Sequence, residues 1–131
     1  MTNEINSTGH MHNIITALFL SLMATTVAAQ ETLTKKPDFL AAVEGHVLEI
    51  GLLRVQLQVL ESGEITGKAF GRGVTGTWDW RDGFFCRSMT WGDRELEYNC
   101  QQVKKEGASL IFTSDKGGGR SATFSLRPAT Q

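Results

Sequence analysis

From Leu53 onward the chain alternates between apolar and polar residues with a period of two. The clearest run is Leu53-Arg54-Val55-Gln56-Leu57-Gln58-Val59, with Val55, Leu57 and Val59 on one side and Arg54, Gln56 and Gln58 on the other. That is the period of a strand buried on one face, because successive side chains point to opposite sides of a sheet. Comparable segments follow at short spacing: Glu64 to Phe70, Val74 to Trp80, Phe84 to Trp91, Glu95 to Val103, Ala108 to Thr113, and a last strand with Ala122, Phe124 and Leu126 inward. In the second of these, Val74, Gly76, Trp78 and Trp80 form the inward set. Turn signals separate the segments at Ser62-Gly63, Arg81-Asp82-Gly83, Gly92-Asp93-Arg94 and Glu106-Gly107. Ser114 to Arg120, SDKGGGR, reads as a flexible loop, and His46 to Ile50 as a further candidate strand.

Before them lies one helical stretch, KKPDFLAAVE from Lys35 to Glu44. Pro37 suits a first turn, Asp38 favours the N-terminus, Phe39, Leu40 and Val43 share a face, and Gly45 ends it. Seven to eight short strands joined by tight turns predict a mainly β domain, a small antiparallel meander or barrel with one N-terminal helix and one disulfide. An open curved sheet with the helix packed across it is the alternative.

The first 29 residues read as a secretory signal peptide, leaving a single β domain at 30–131. Ile14 to Met23, IITALFLSLM, carries no charge, and Val27 and Ala29 fit a signal-peptidase site with cleavage after Ala29. The apolar run is about half of what a membrane-spanning helix requires. No Lys or Arg precedes Lys35, and either Met1 or Met11 serves as a start. No cysteine stands directly after the cleavage point, where Gln30 is found, so a lipid anchor is not supported. The expected location is periplasmic or secreted, with no membrane span after cleavage. Residues 30–131 hold all 13 Lys and Arg and all but Glu4 of the 14 Asp and Glu, so the mature domain is formally neutral. Neutrality, with the basic residues scattered, argues against a nucleic-acid partner.

Gly76 to Cys100 holds all three tryptophans, both cysteines and the only tyrosine. In an exported chain two cysteines read as a disulfide, Cys86–Cys100. A three-residue hairpin loop at Gly92-Asp93-Arg94 places Cys86 opposite Cys100, Ser88 opposite Tyr98 and Thr90 opposite Leu96. On that register Phe84, Cys86, Leu96, Tyr98 and Cys100 form the core face. The other face carries Phe85, Arg87, Met89 and Trp91 beside Glu95, Glu97, Asn99 and Gln101. Phe85, Arg87, Met89 and Trp91 are therefore the candidate binding face, covered by the chain itself or open to a partner, either a protein or a small apolar ligand.

No catalytic device is legible. The mature chain has one histidine, His46, with no nucleophile–base motif around it, and too few ligands for zinc. The carboxylates Asp79, Asp82, Asp93, Glu95 and Glu97 fit turn and outward strand positions. Gly71-Arg72-Gly73-Val74-Thr75-Gly76 matches G-x-G-x-x-G, but a dinucleotide site needs a helix after the glycines, and here a strand pattern follows. No catalytic residue, metal or cofactor is expected.

The pattern Gly76, Trp78, Trp80, Gly83, Phe85, Cys86, Arg87, followed by Tyr98-Asn99-Cys100-Gln101 and Phe112-Thr113-Ser114-Asp115-Lys116-Gly117, resembles a group of short exported alphaproteobacterial proteins often labelled dihydrodipicolinate reductase. The label implies an NADPH-dependent oxidoreductase, whose fingerprint context and histidine-rich segment are not in this sequence. A further likeness, to bacterial metalloprotease-inhibitor barrels with one disulfide, is one of fold. The function expected is that of a periplasmic binding or interaction module. An enzyme, as the label implies, and a structural or inhibitor-like envelope protein are the alternatives.

Overall fold

A computed structural model describes residues 21–27 and 29–129 of the chain. Residues 1–20 and 28, which make up most of the predicted signal peptide, lie outside the described residues. The elements are β1 (Gln30–Leu33), α1 (Lys36–Val43), β2 (His46–Ile50), β3 (Val55–Val59), β4 (Glu64–Ala69), β5 (Arg72–Arg81), β6 (Phe84–Trp91), β7 (Arg94–Glu106), β8 (Ser109–Thr113) and β9 (Ser121–Pro128). All pairings are antiparallel. From β2 to β9 each strand pairs with the next, and β9 returns to pair with β2. The result is a closed eight-stranded meander barrel.

β1 is a ninth strand that the sequence pattern does not announce. It pairs with Val103–Glu106 of β7, on the edge that β6 leaves when it ends opposite Gln101. One long strand thus serves two short neighbours in succession.

Tight turns set the inward and outward alternation. Arg81 pairs with Phe84 across Asp82-Gly83, both at positive φ (51° and 85°). That is the conformation a two-residue type I′ hairpin requires, and Asp-Gly is among its preferred sequences. Val55, Leu57 and Val59 face inward as their spacing predicts, together with Ile65, Val74, Trp78 and Leu110, and all are buried.

The helix closes one end of the barrel. Phe39 is fully buried there, 5.1 Å from the Trp80 ring, 5.3 Å from Trp78 and 5.2 Å from Phe85. Indole N–H groups pin the surrounding chain: Trp78 donates to the Leu60 carbonyl at 2.8 Å and Trp80 to that of Thr34 at 3.1 Å. Each indole thereby buries its rings while its polar edge is satisfied. Leu33 and Val103, both buried, complete the floor.

The hairpin β6–β7 corrects the sequence reading in two respects. Its loop has two residues, Gly92-Asp93, and Trp91 pairs with Arg94. A β-bulge between Arg87 and Met89 then restores the register in which Arg87 pairs with Asn99 and Cys86 with Cys100. Second, the inner face is the opposite one. Trp80 pairs with Phe85 and Trp78 with Arg87, so Phe85, Arg87 and Met89 turn inward. Phe84, Cys86, Tyr98 and Cys100 lie on the outer face, where Tyr98 is exposed. Leu96, opposite Met89, turns inward instead of joining them. The disulfide Cys86–Cys100 therefore clamps the outside of the wall, with Cα atoms 3.9 Å apart.

Ser114–Arg120 also departs from expectation. It is a closed turn rather than a loose loop: Ser114 N–H donates to the Arg120 carbonyl at 2.9 Å, and Asp115 accepts from the Asn99 side chain at 2.7 Å.

Two outcomes are expected. Phe39→Ala removes the plug of the closed end and should destabilise the fold by about 3–5 kcal/mol, measured by urea unfolding. The bridge closes a 15-residue loop, for which loop entropy gives about 3 kcal/mol. Reduction, or a Cys86→Ala/Cys100→Ala variant, should lower Tm by on the order of 10 °C, read by circular dichroism.

Candidate functional site

With α1 across one end, the barrel interior is a cup. Its wall is built from inward strand positions: Leu48 of β2, Leu57 of β3, Ile65 of β4, Met89 of β6, Phe112 of β8 and Phe124 of β9. They enclose a cavity of about 190 Å³. The cup opens toward β9. Ala122 pairs with Phe112 and so faces inward, yet solvent reaches it, and Phe124 beside it is only half-buried.

Gly76 lies opposite Met89 on the inner face. A Cβ at Gly76 would collide with the Ser88 carbonyl and come within 2.9 Å of the Met89 side chain. The methionine therefore lies across bare backbone.

Two polar side chains line the cavity, Arg87 and Gln101. Arg87 reaches the interior because a bulge and a two-residue turn hold β6 with its odd-numbered residues inward. Its Nη1 donates to the Glu97 carbonyl. Its Nε is buried and has no hydrogen-bond partner among the described residues. Among the described residues the ion pairs join Arg81 to Asp79 and Arg127 to Glu49, both on the outer wall. Burial without a carboxylate partner lowers the Arg87 pKa from its ordinary value, since desolvation disfavours the charged form. Arg87 also lines a polar cleft with Arg94, Glu95, Glu97, Asn99, Asp115 and Arg120, so it stands between that cleft and the apolar lumen.

The four residues of the predicted binding face do share one face, and it is the inner one. Phe85 is buried in the aromatic floor, 5.5 Å from Trp78 and 5.3 Å from Phe112. Arg87 and Met89 line the cavity. Trp91 sits half-buried nearer the rim, donating to the Ala69 carbonyl at 2.7 Å, with Phe70 at 5.9 Å and the Arg72 guanidinium at 5.2 Å from its ring. Asn99 and Gln101 share this face, but Glu95, opposite Thr90, does not, and Glu97 falls at the bulge. The predicted mixture of apolar groups and acids on one surface therefore dissolves. Leu48, Leu57, Phe112, Ala122 and Phe124 complete the site. Their inward alternation was readable, but the space between them was not.

The other motifs settle into ordinary places. Phe70-Gly71 is a turn and Gly73 to Gly76 are strand, so no helix N-terminus follows the G-x-G-x-x-G match. His46 Nδ1 donates to the Glu44 carbonyl at 2.8 Å. Asp79 is held by Arg81 at 2.6 Å. Among the described residues no group of three His, Cys, Asp or Glu is placed to hold a metal, and no helix is long and apolar enough to cross a membrane. A depression of about 510 Å³ lies outside the barrel, between α1 and the β3–β4 turn.

No family model matches the chain, and neither a curated protein nor a solved structure proves similar to it.

Gly76→Ala should destabilise the protein by roughly 1–3 kcal/mol through overpacking against Ser88 and Met89. Gly76→Ala/Met89→Ala should leave that loss in place in the same denaturant titration, because the nearest obstruction is the Ser88 backbone carbonyl, which shortening Met89 does not remove.

Proposed function

We propose that this protein is a small-molecule-binding barrel that works in an oxidising compartment outside the cytoplasm. One observation carries the reading: a cavity of about 190 Å³, closed at one end by α1 and open by Ala122, on the inside of an otherwise packed wall. A core that served stability alone would fill this space, because voids forfeit packing energy. The occupant is small. An engineered apolar cavity of about 150 Å³ takes up benzene, so this lumen suits one ring or a chain of roughly six to eight carbons. The Cys86–Cys100 bridge supports the compartment, since such bonds persist where thiols are not kept reduced. Export itself rests on the signal-like residues ahead of Gln30.

A ligand that binds only the folded state raises Tm in proportion to RT ln(1 + [L]/Kd). Toluene should therefore raise Tm of the disulfide-bonded protein by a few degrees at saturation. Leu57→Trp, which fills the cup from β3, should abolish the rise while remaining folded by circular dichroism. A wild-type protein indifferent to toluene would end the reading.

A further inference from the structure

The proposed cup is apolar except at one place. There an arginine, the most strongly cationic side chain a protein has, lines the cavity with one of its donors buried and unanswered. Buried polar atoms in native proteins nearly always have partners, and the exceptions mark strain, function or an absent ligand. The side chain as a whole is half-buried, and among the described residues it forms no salt bridge. Here the sequence had carboxylates to hand, for Glu95 and Glu97 lie on the neighbouring strand. The two-residue turn and the bulge keep Glu95 off the inner face and leave Glu97 offering a backbone carbonyl instead. The inner-face neighbours of Arg87 are Trp78, Asn99 and Gln101, none of them able to neutralise it.

Resting on the ligand-cup reading, we propose that the ligand is a small organic monocarboxylate, its apolar body in the lumen and its carboxylate on Arg87. The guanidinium fits this role because Nε and an adjacent Nη form a planar two-donor edge that matches the two oxygens of a carboxylate. Nη1 is anchored by Glu97, which holds the group at the junction of lumen and cleft. Nε is shut off from water in the unliganded geometry, so pairing requires the side chain to swing about its Cγ–Cδ and Cδ–Nε bonds and to exchange the Glu97 carbonyl for the carboxylate. Gln101 offers the second polar contact, its Nε2 donating at 3.4 Å to the Ser114 hydroxyl and thereby tying the site to the turn that covers the cleft. Around them Leu57, Ile65, Phe112 and Phe124 supply the surface for a short chain or a single ring.

The test compares octanoate with 1-octanol, which share a chain length and differ in charge, by isothermal titration on the disulfide-bonded protein. Octanoate should bind wild type at least tenfold more tightly than octanol. In Arg87→Gln and Arg87→Met the two should bind alike, within about twofold. Equal binding of the two by wild type would overturn the carboxylate assignment and leave the cup standing. Failure of both to bind wild type would overturn the cup itself, and the assignment with it. A preference that survives in both variants would place the carboxylate elsewhere and overturn the role of Arg87. The comparison on wild type stands even if a variant fails to fold.

Discussion

Everything in this fold depends on one aromatic side chain that belongs to no strand. An eight-stranded barrel is a tube until something closes it, and Phe39 closes this one, fully buried against Trp78, Trp80 and Phe85. The helix that carries it is only two turns long, too short to be stable alone. It is held because β1 before it pairs with β7 and β2 after it pairs with both β3 and β9. The closed end is thus made from the two segments nearest the start of the domain. The floor of the cavity and the burial of Trp78 follow from that plug.

Much of the architecture was readable because period-two alternation is a direct imprint of the pleat. Val55, Leu57 and Val59, and the helix at Lys36–Val43, stand where the pattern puts them. β1 was not readable: Gln30-Glu31-Thr32-Leu33 buries only its last residue, so no alternation records its pairing. The face of β6 was misread for an instructive reason. Cysteines are usually among the most buried residues, and Cys86 is indeed buried, yet by its disulfide and outer-wall neighbours and not by the core. The deciding signal was the Asp82-Gly83 turn. A two-residue hairpin loop forces Phe85 onto the side of Trp80, and parity then carries Arg87 and Met89 inward.

The site was less legible than the fold because a cavity is a difference between volumes, and no single residue encodes it. Its one trace is a small residue at an inward position, Ala122, among large ones. Arg87 could be placed on a face from the sequence. That it has no carboxylate partner depends on a bulge that shifts two glutamates by one residue, and a bulge of this kind carries no turn signature.

Closure of the wall has a consequence for how the chain reaches this state. Seven of the pairings, from β2–β3 to β8–β9, join strands adjacent in sequence and need only short loops to form. The two that complete the barrel, β2–β9 and β1–β7, join distant ends, His46 to Pro128 and Gln30 to Glu106. Long loops bring a larger entropic cost before their contacts give anything back, so these seams form late. A chain emerging from its N-terminus accordingly builds hairpins first and acquires an inside only when its last strand arrives.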